Sequence, residues 1–265
     1  MHIDFDIIVK TVISLWIFAA VLYYVPIKKN YLKTIAVILS FSATLILCLY
    51  IAQLWFSLER PPLRTKGETR LWYATIVPLI TLIIHTRLKT YWFAVYGQVM
   101  ASVFLITNII HPDYFDMTLM PALQSYWFVP HVIIYMVAYA LLASTVMYAA
   151  RGFYLYNKGK TESLKSILIR ADVLVYLGFA MATFGISFGA FWAKEAWGGY
   201  WAWDPKETWA LISWLCYLTY IHFRYKHPKK QYLALWFLVI CFFMLLIGWH
   251  GVDYMPSAKQ SMHSY

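Results

Sequence analysis

Two sets of side chains in this sequence have the types and spacing to do chemistry: a dense aromatic block and a group of histidines. Trp197-Gly198-Gly199-Tyr200-Trp201-Ala202-Trp203-Asp204-Pro205-Lys206-Glu207-Thr208-Trp209 holds four tryptophans and a tyrosine in thirteen residues, between two long apolar runs. Aromatic belts at membrane interfaces are ordinary. A block this dense has a better use, as a set of flat faces covering a flat ligand. Gly198 and Gly199 permit close backbone approach and positive φ. The block then runs into a helix start, with Asp204 as N-cap, Pro205 at the first helical position and Glu207 at the third.

The histidines supply the complementary chemistry. Eight occur in the chain. Two imidazoles above and below one plane form the axial ligand set of a low-spin haem iron, and a ring of flat side chains would then hold the porphyrin. Which histidines can reach the block depends on the elements that carry them.

The chain has 265 residues, 62% of them hydrophobic and 13% charged, with a mean hydropathy of +0.60. That balance excludes an ordinary soluble domain and predicts an all-α, polytopic integral membrane helix bundle. About eight apolar stretches approach the ~20 residues of a spanning helix: 6–27, 32–56, 71–86, 91–110, 128–150, 171–192, 206–224 and 231–252. Pro78 lies inside the third and predicts a kink there. The chain reads as one domain over 1–265, with N-terminal helices to 123 and the aromatic core in 124–265. Met1-His2-Ile3-Asp4-Phe5-Asp6 lacks a basic leader, so no cleavable signal peptide is expected. Cys48, Cys216 and Cys241 are isolated in apolar runs and read as small core residues.

Basic residues set the expected orientation. One set of alternate loops holds fourteen lysines and arginines, the opposite set seven. The richer set belongs in the cytoplasm, which turns both termini and the aromatic block outward. The formal charge of +10 therefore lies in short loops. Without aromatic interleaving at single-strand spacing these loops do not read as a nucleic-acid surface; they face membrane lipid.

On this topology His131, after Trp127 and Pro130, and His263, in the C-terminal tail, share the outer side with the aromatic block. His222 ends a helix that begins at Pro205 and rises about 26 Å, at 1.5 Å per residue, which puts it at the inner face; His85 lies at similar depth. Ionisable residues at membrane depth are costly and point to function. His250 is a substitute outer ligand or a propionate partner, His111 caps an outer loop, His227 belongs to an inner loop, and His2 is solvated. Lys194, Lys206, Arg60 and Arg64 are candidate cations for haem propionates. Asp204 and Glu207 have a sufficient task as helix caps.

Residues Trp197 through Trp209, with Ala210-Leu211 and Ser213-Trp214-Leu215, resemble the tryptophan-rich "WWD" signature of haem-handling proteins of cytochrome c maturation. They are most similar to its CcsA/ResC branch (System II); the CcmC and CcmF branches share the aromatic core but less of the Asp204–Trp209 continuation. Gln124-Ser125-Tyr126-Trp127-Phe128-Val129-Pro130-His131-Val132 is similar to the family segment with the first external haem ligand, and Met262-His263-Ser264-Tyr265 to the motif with the second. Tyr220-Ile221-His222-Phe223-Arg224 resembles the family's inner ligand position, and His85 is taken as its partner. The resemblance implies that haem b, as a transported substrate, is held by His131, His263 and His222; His85, which no family motif matches, is added as the fourth expected ligand by its depth. The platform is Trp197, Gly198, Tyr200, Trp201, Trp203, Asp204 and Trp209.

The family further implies delivery to a CxxCH segment of apocytochrome c. A ResB/CcsB-type membrane subunit and, indirectly, thiol reductant proteins are its expected partners. The expected location is a bacterial plasma membrane or a thylakoid membrane, with the active face extracytoplasmic or lumenal. Synthase activity is expected only together with the partner subunit. Two rival readings remain: a b-type electron carrier with bis-histidine haems, and a haem exporter without ligation chemistry. Electron-transfer haems clamped between helices need no tryptophan-rich loop, which separates the first rival.

Overall fold

Some helix starts in this chain are encoded by short local signals, and the structure uses them. The computed structural model describes residues 4–25, 30–88, 90–115, 122, 125–249 and 251–256. Among these residues every regular element is helical: α1 (Phe5–Tyr24), α2 (Asn30–Leu58), α3 (Lys66–Leu88), α4 (Tyr91–Ile110), α5 (Phe128–Asn157), α6 (Thr161–Trp197), α7 (Pro205–Lys226) and α8 (Gln231–Trp249). Short 3-10 turns follow α4 at Pro112–Phe115 and α8 at Gly251–Tyr254.

Asp4 caps α1 by accepting from the Asp6 N–H at 3.2 Å. At the start of α3, Thr65 and Glu68 exchange bonds: the Glu68 N–H donates to Thr65 Oγ1 and the Thr65 N–H to Glu68 Oε2, both at 3.1 Å. Reciprocal pairs of this kind satisfy amide donors that a helix terminus leaves open.

Six of the eight helices are long and apolar enough to cross a membrane, and the chain is a multi-pass integral membrane protein. The other two, α3 and α7, carry more charge: Lys66, Glu68, Arg70 and Arg87 on α3, and Lys206, Glu207, Arg224 and Lys226 on α7. Several helices outrun the expected apolar stretches. The largest difference is α6, whose 37 residues run well beyond 171–192 at both ends. At 1.5 Å per residue that is about 55 Å, against a hydrocarbon core of about 30 Å. Apolarity marks the crossing, whereas the helix continues wherever one face can be buried. In the early turns of α6 that face is Leu164, Leu168 and Ala171.

The chain divides into two compact units, 1–119 and 120–265. In the first, α1 and α3 each pack against α2 and α4. Its core centres on Trp16, Leu47, Leu71 and Leu105, all at 2% exposure or less. Pro78 sits within α3 as expected. In the second unit α5 and α7 each pack against α6 and α8, and the α5–α6 pairing is the most extensive. Leu142, Tyr148, Tyr217 and Leu238 fill its interior. Large apolar side chains such as Phe18, Leu49, Phe184 and Phe243 stay exposed, as a lipid-facing surface requires. Cys241 is buried, whereas Cys48 is on the surface and so is not a core residue.

Candidate functional site

The site is assembled at the C-terminal end of α6, the start of α7 and the first turns of α5. Gly198 terminates α6 in the left-handed region, φ +82°, with its N–H on the Lys194 carbonyl. Such a cap favours a residue without Cβ. Lys194 returns its Nζ to the Gly198 carbonyl at 2.7 Å and lies 5.5 Å over the Tyr200 ring. One of its N–H donors thus helps to close the helix. Trp197 belongs to the last turn of α6 rather than to the loop. Gly199 is not in the left-handed region; the second positive φ in the block is taken by Trp203, at +58°. A bulky residue there is strained, and the following cap holds it.

That cap works as the sequence predicts. Asp204 Oδ1 accepts from the Lys206 N–H at 2.9 Å. Glu207 Oε2 accepts from the N–H groups of Ala202 and Asp204 at 2.8 and 3.1 Å. Both acids are buried, at 5% and 9% exposure, and both serve the backbone of the loop. Two carboxylates thus fix the chain from Ala202 to Lys206, and with it the presentation of the tryptophans. Trp203 and Tyr200 stand out at 67% and 55% exposure. Trp201 and Trp209 are half-buried. Trp201 meets Trp203 edge-to-face, centroids 5.8 Å apart. The indole N–H of Trp201 is buried with no hydrogen-bond partner among the described residues, a donor that an anionic or carbonyl oxygen would satisfy.

His131 lies on the first turn of α5, half-buried. Its Nδ1 is 2.8 Å from the Gly185 carbonyl oxygen on α6. A carbonyl only accepts, so Nδ1 carries the proton and the lone pair resides on Nε2. Metal-ligating histidines are oriented in this way. The imidazole meets Tyr135 edge-to-face at 5.0 Å and lies 5.4 Å from Trp192, which is 4.9 Å from Trp197. A second run of rings passes from Trp127 to Phe191 at 4.8 Å and on to Tyr200 at 6.3 Å. Two runs of ring contacts thus join the start of α5 to the aromatic block.

Hydrogen bonds fix the same junction. Ser125 Oγ donates to Glu195 Oε2 at 2.5 Å and accepts from the Trp127 N–H at 3.1 Å. Trp192 Nε1 donates to the Ala122 carbonyl at 2.7 Å.

His263 and His250 lie outside the described residues, so of the two ligands expected beside the block only His131 is described. At the far end of α7 from the block, His222 is exposed, with Nδ1 donating to the Leu218 carbonyl of its own helix at 2.9 Å. Its neighbours Tyr220 and Arg224 both grip Asp172 of α6, through Tyr220 Oη at 2.6 Å and a forked Arg224 guanidinium at 2.8 and 3.0 Å. His85, in the first unit, is 4% exposed and stands against Tyr23 at 5.2 Å and Tyr91 at 4.8 Å. Its Nδ1 is buried without a hydrogen-bond partner among the described residues.

Arg60 is a correction to the expected cations. It makes a fork onto buried Glu68 at 2.8 and 3.0 Å, so its charge is already matched and the loop before α3 is tied to the α3 cap. Sequence reasoning also passed over Trp192, Tyr135, Gly185 and Asp172. The one signal pointing to them is the spacing of Gly185 and Gly189 on a long apolar helix, which takes meaning only with α5 beside it.

The sequence profile of the family described as "Cytochrome C assembly protein" matches residues 8–258. Among curated proteins, the cytochrome c biogenesis protein CcsA of Chlamydomonas reinhardtii is 37% identical over 158 residues, covering 56% of this chain and 42% of that protein. CcsA of Welwitschia mirabilis is 32% identical over 245 residues, covering 74% and 79%. CcsA of a Prochlorococcus marinus strain is 30% identical, covering 90% and 86%. Among solved structures, a chain named cytochrome c heme lyase CcmF matches with a TM-score of 0.68 at 18% identity, over 92% of this chain and 46% of that one; at that identity the likeness is one of fold. The match thus spans about half or less of the length of some relatives and most of others. The chain belongs to the cytochrome c assembly protein family and is of the CcsA type.

Proposed function

We propose that this chain binds haem b as its substrate at an outward-facing aromatic platform and presents it for attachment to apocytochrome c. The observation that carries the reading is the His131–Gly185 bond. It holds a Nε2 lone pair beside Trp192 and, through it, the block beginning at Trp197. His131 serves as one axial ligand and His263 as the other. Trp197, Gly198, Tyr200, Trp201, Trp203 and Trp209 line the flat face, and Asp204 holds the loop. The unpartnered indole N–H of Trp201 fits a propionate oxygen.

Two exchangeable imidazoles keep the bound group correctly faced while its vinyl edges remain accessible. Each cysteine thiol of an incoming CxxCH segment adds across one vinyl group. The S–H bond and the π bond break, C–S and C–H bonds form, and no electrons are gained or lost. The substrate's own histidine then replaces one protein imidazole. Reduced thiols come from outside this chain, which is the role of the thiol reductant proteins. A ResB/CcsB-type subunit completes the synthase.

The inner end of the route uses His222 of the second unit. His222 is exposed and directs its Nε2 lone pair off the helix. The membrane is a bacterial plasma membrane or a thylakoid membrane.

The test is the visible spectrum of the detergent-purified chain with its partner, beside His131→Ala and His222→Ala. Bis-histidine haem that changes ligation in each variant supports the reading; identical spectra in all three would refute it.

A further inference from the structure

We propose that α6 is the positioning element for His131: the Gly185 carbonyl selects its tautomer, Gly189 makes room for its ring, and Trp192 fixes the plane of that ring. This rests on the haem-ligand reading of His131 and adds the residues that make it a competent ligand.

Each part follows from a contact in the structure. The carbonyl of Gly185 is 2.8 Å from Nδ1, which assigns the lone pair to Nε2. One turn further along α6, a Cβ built at Gly189 would fall 2.7 Å from Cε1 and 2.8 Å from Nδ1 of the imidazole. Real Cβ atoms do not approach that closely, and an imidazole bonded to a carbonyl has no flexible end to move aside. An alanine at this position therefore pushes the ring off the Gly185 carbonyl. Trp192, three residues beyond, lies 5.4 Å from the imidazole with the two planes 32° apart. Its indole is itself tied to Ala122. Ring plane, depth and protonated nitrogen are thus all set by one face of α6, within two turns.

The same seam supplies its own control. Gly178 lies on α6 deeper along the α5 contact, and a Cβ there would meet Leu142 at 2.7 Å. Alanine at Gly178 imposes the same kind of packing insult on the α5–α6 pair without touching His131. A general loosening of the helix pair and a specific displacement of the ligand are thereby separable.

The experiment uses the full chain, labelled with nitrogen-15 at histidine, as wild type, Gly178→Ala, Gly189→Ala and His131→Ala. Two quantities are read: the imidazole nitrogen shifts of His131 in haem-free protein, and the absorption spectrum after haem titration. Wild type and Gly178→Ala are expected to show the Nδ1-protonated tautomer and the same haem spectrum. Gly189→Ala is expected to lose that tautomer and bind haem about tenfold or more weaker, as loss of a ligand's supporting contacts typically does. Free imidazole should restore its spectrum. The proposal is overturned if Gly189→Ala keeps the wild-type tautomer and spectrum, or if Gly178→Ala loses as much. If His131→Ala leaves the spectrum unchanged, the haem-ligand reading itself fails, and the nitrogen shifts still decide the role of α6.

Discussion

His131 Nδ1 and the Gly185 carbonyl oxygen meet at 2.8 Å across the α5–α6 seam. His222 achieves the same tautomer by other means, donating Nδ1–H to the Leu218 carbonyl one turn back on its own helix at 2.9 Å. One candidate ligand is therefore held by tertiary packing and the other by secondary structure alone. Changes along α6 should disturb the first and leave the second intact.

Asp204 and Glu207 satisfy the loop backbone that carries the tryptophans. Asp204→Ala is expected to cost about 1 kcal/mol of stability, the usual value of a lost N-cap. The same substitution should weaken haem retention, because Trp203 loses the anchor behind its positive φ. Thermal unfolding in detergent together with haem titration measures both. A stability loss without any change in haem affinity would show that the cap does not position the platform.

Trp201 offers a buried indole N–H without a partner. Trp201→Phe keeps a ring and removes the donor. It is expected to weaken binding of haem by about 1.5–3 kcal/mol, the scale of one hydrogen bond to a charged group. Binding of haem dimethyl ester, whose neutral ester carbonyls are weaker acceptors than carboxylates, should change less. Equal losses for both ligands would assign Trp201 a packing role only.

Asp172 and Arg224 form a nearly enclosed ion pair, with side chains 13% and 10% exposed. Removing one partner strands the other, which typically costs about 3–5 kcal/mol. Asp172→Ala should therefore unfold at markedly lower temperature, and Asp172→Ala combined with Arg224→Met should recover much of the loss. Failure of the double variant to recover would place the stabilisation elsewhere, in the Tyr220 hydroxyl contact with Asp172.

The two inner histidines separate by burial. His85→Ala removes contacts with Tyr23 and Tyr91 and is expected to destabilise by about 1 kcal/mol, the scale of a ring pair. His222→Ala, at an exposed position, should leave stability within about 0.5 kcal/mol while removing the inner haem signal. An unchanged haem spectrum in His222→Ala would take this residue out of the ligand set.

How much of this was legible beforehand follows the range of each interaction. The start of α7 was readable because Asp204, Pro205 and Glu207 act within one turn. The membrane class was readable because composition alone decides it. Trp192 was not, since in a helix apolar on all sides no residue declares which face it turns inward. Arg60 read as a surplus outer cation because its partner Glu68, eight residues on, becomes one only when α3 starts at Lys66. The ends of α6 were misplaced because apolarity reports where lipid begins, not where backbone hydrogen bonding stops. Gly185 acts through its carbonyl, and a carbonyl has no sequence signature.

The central claim is tested most directly by the absorption spectrum of the purified chain with its partner, for wild type, His131→Ala and His263→Ala, with and without added imidazole. A bis-histidine spectrum in wild type, weakened or altered in both variants and restored by imidazole, is the predicted result. Haem bound with the wild-type spectrum in both variants, or no haem in wild type at all, would contradict the platform and return the aromatic block to an interfacial role.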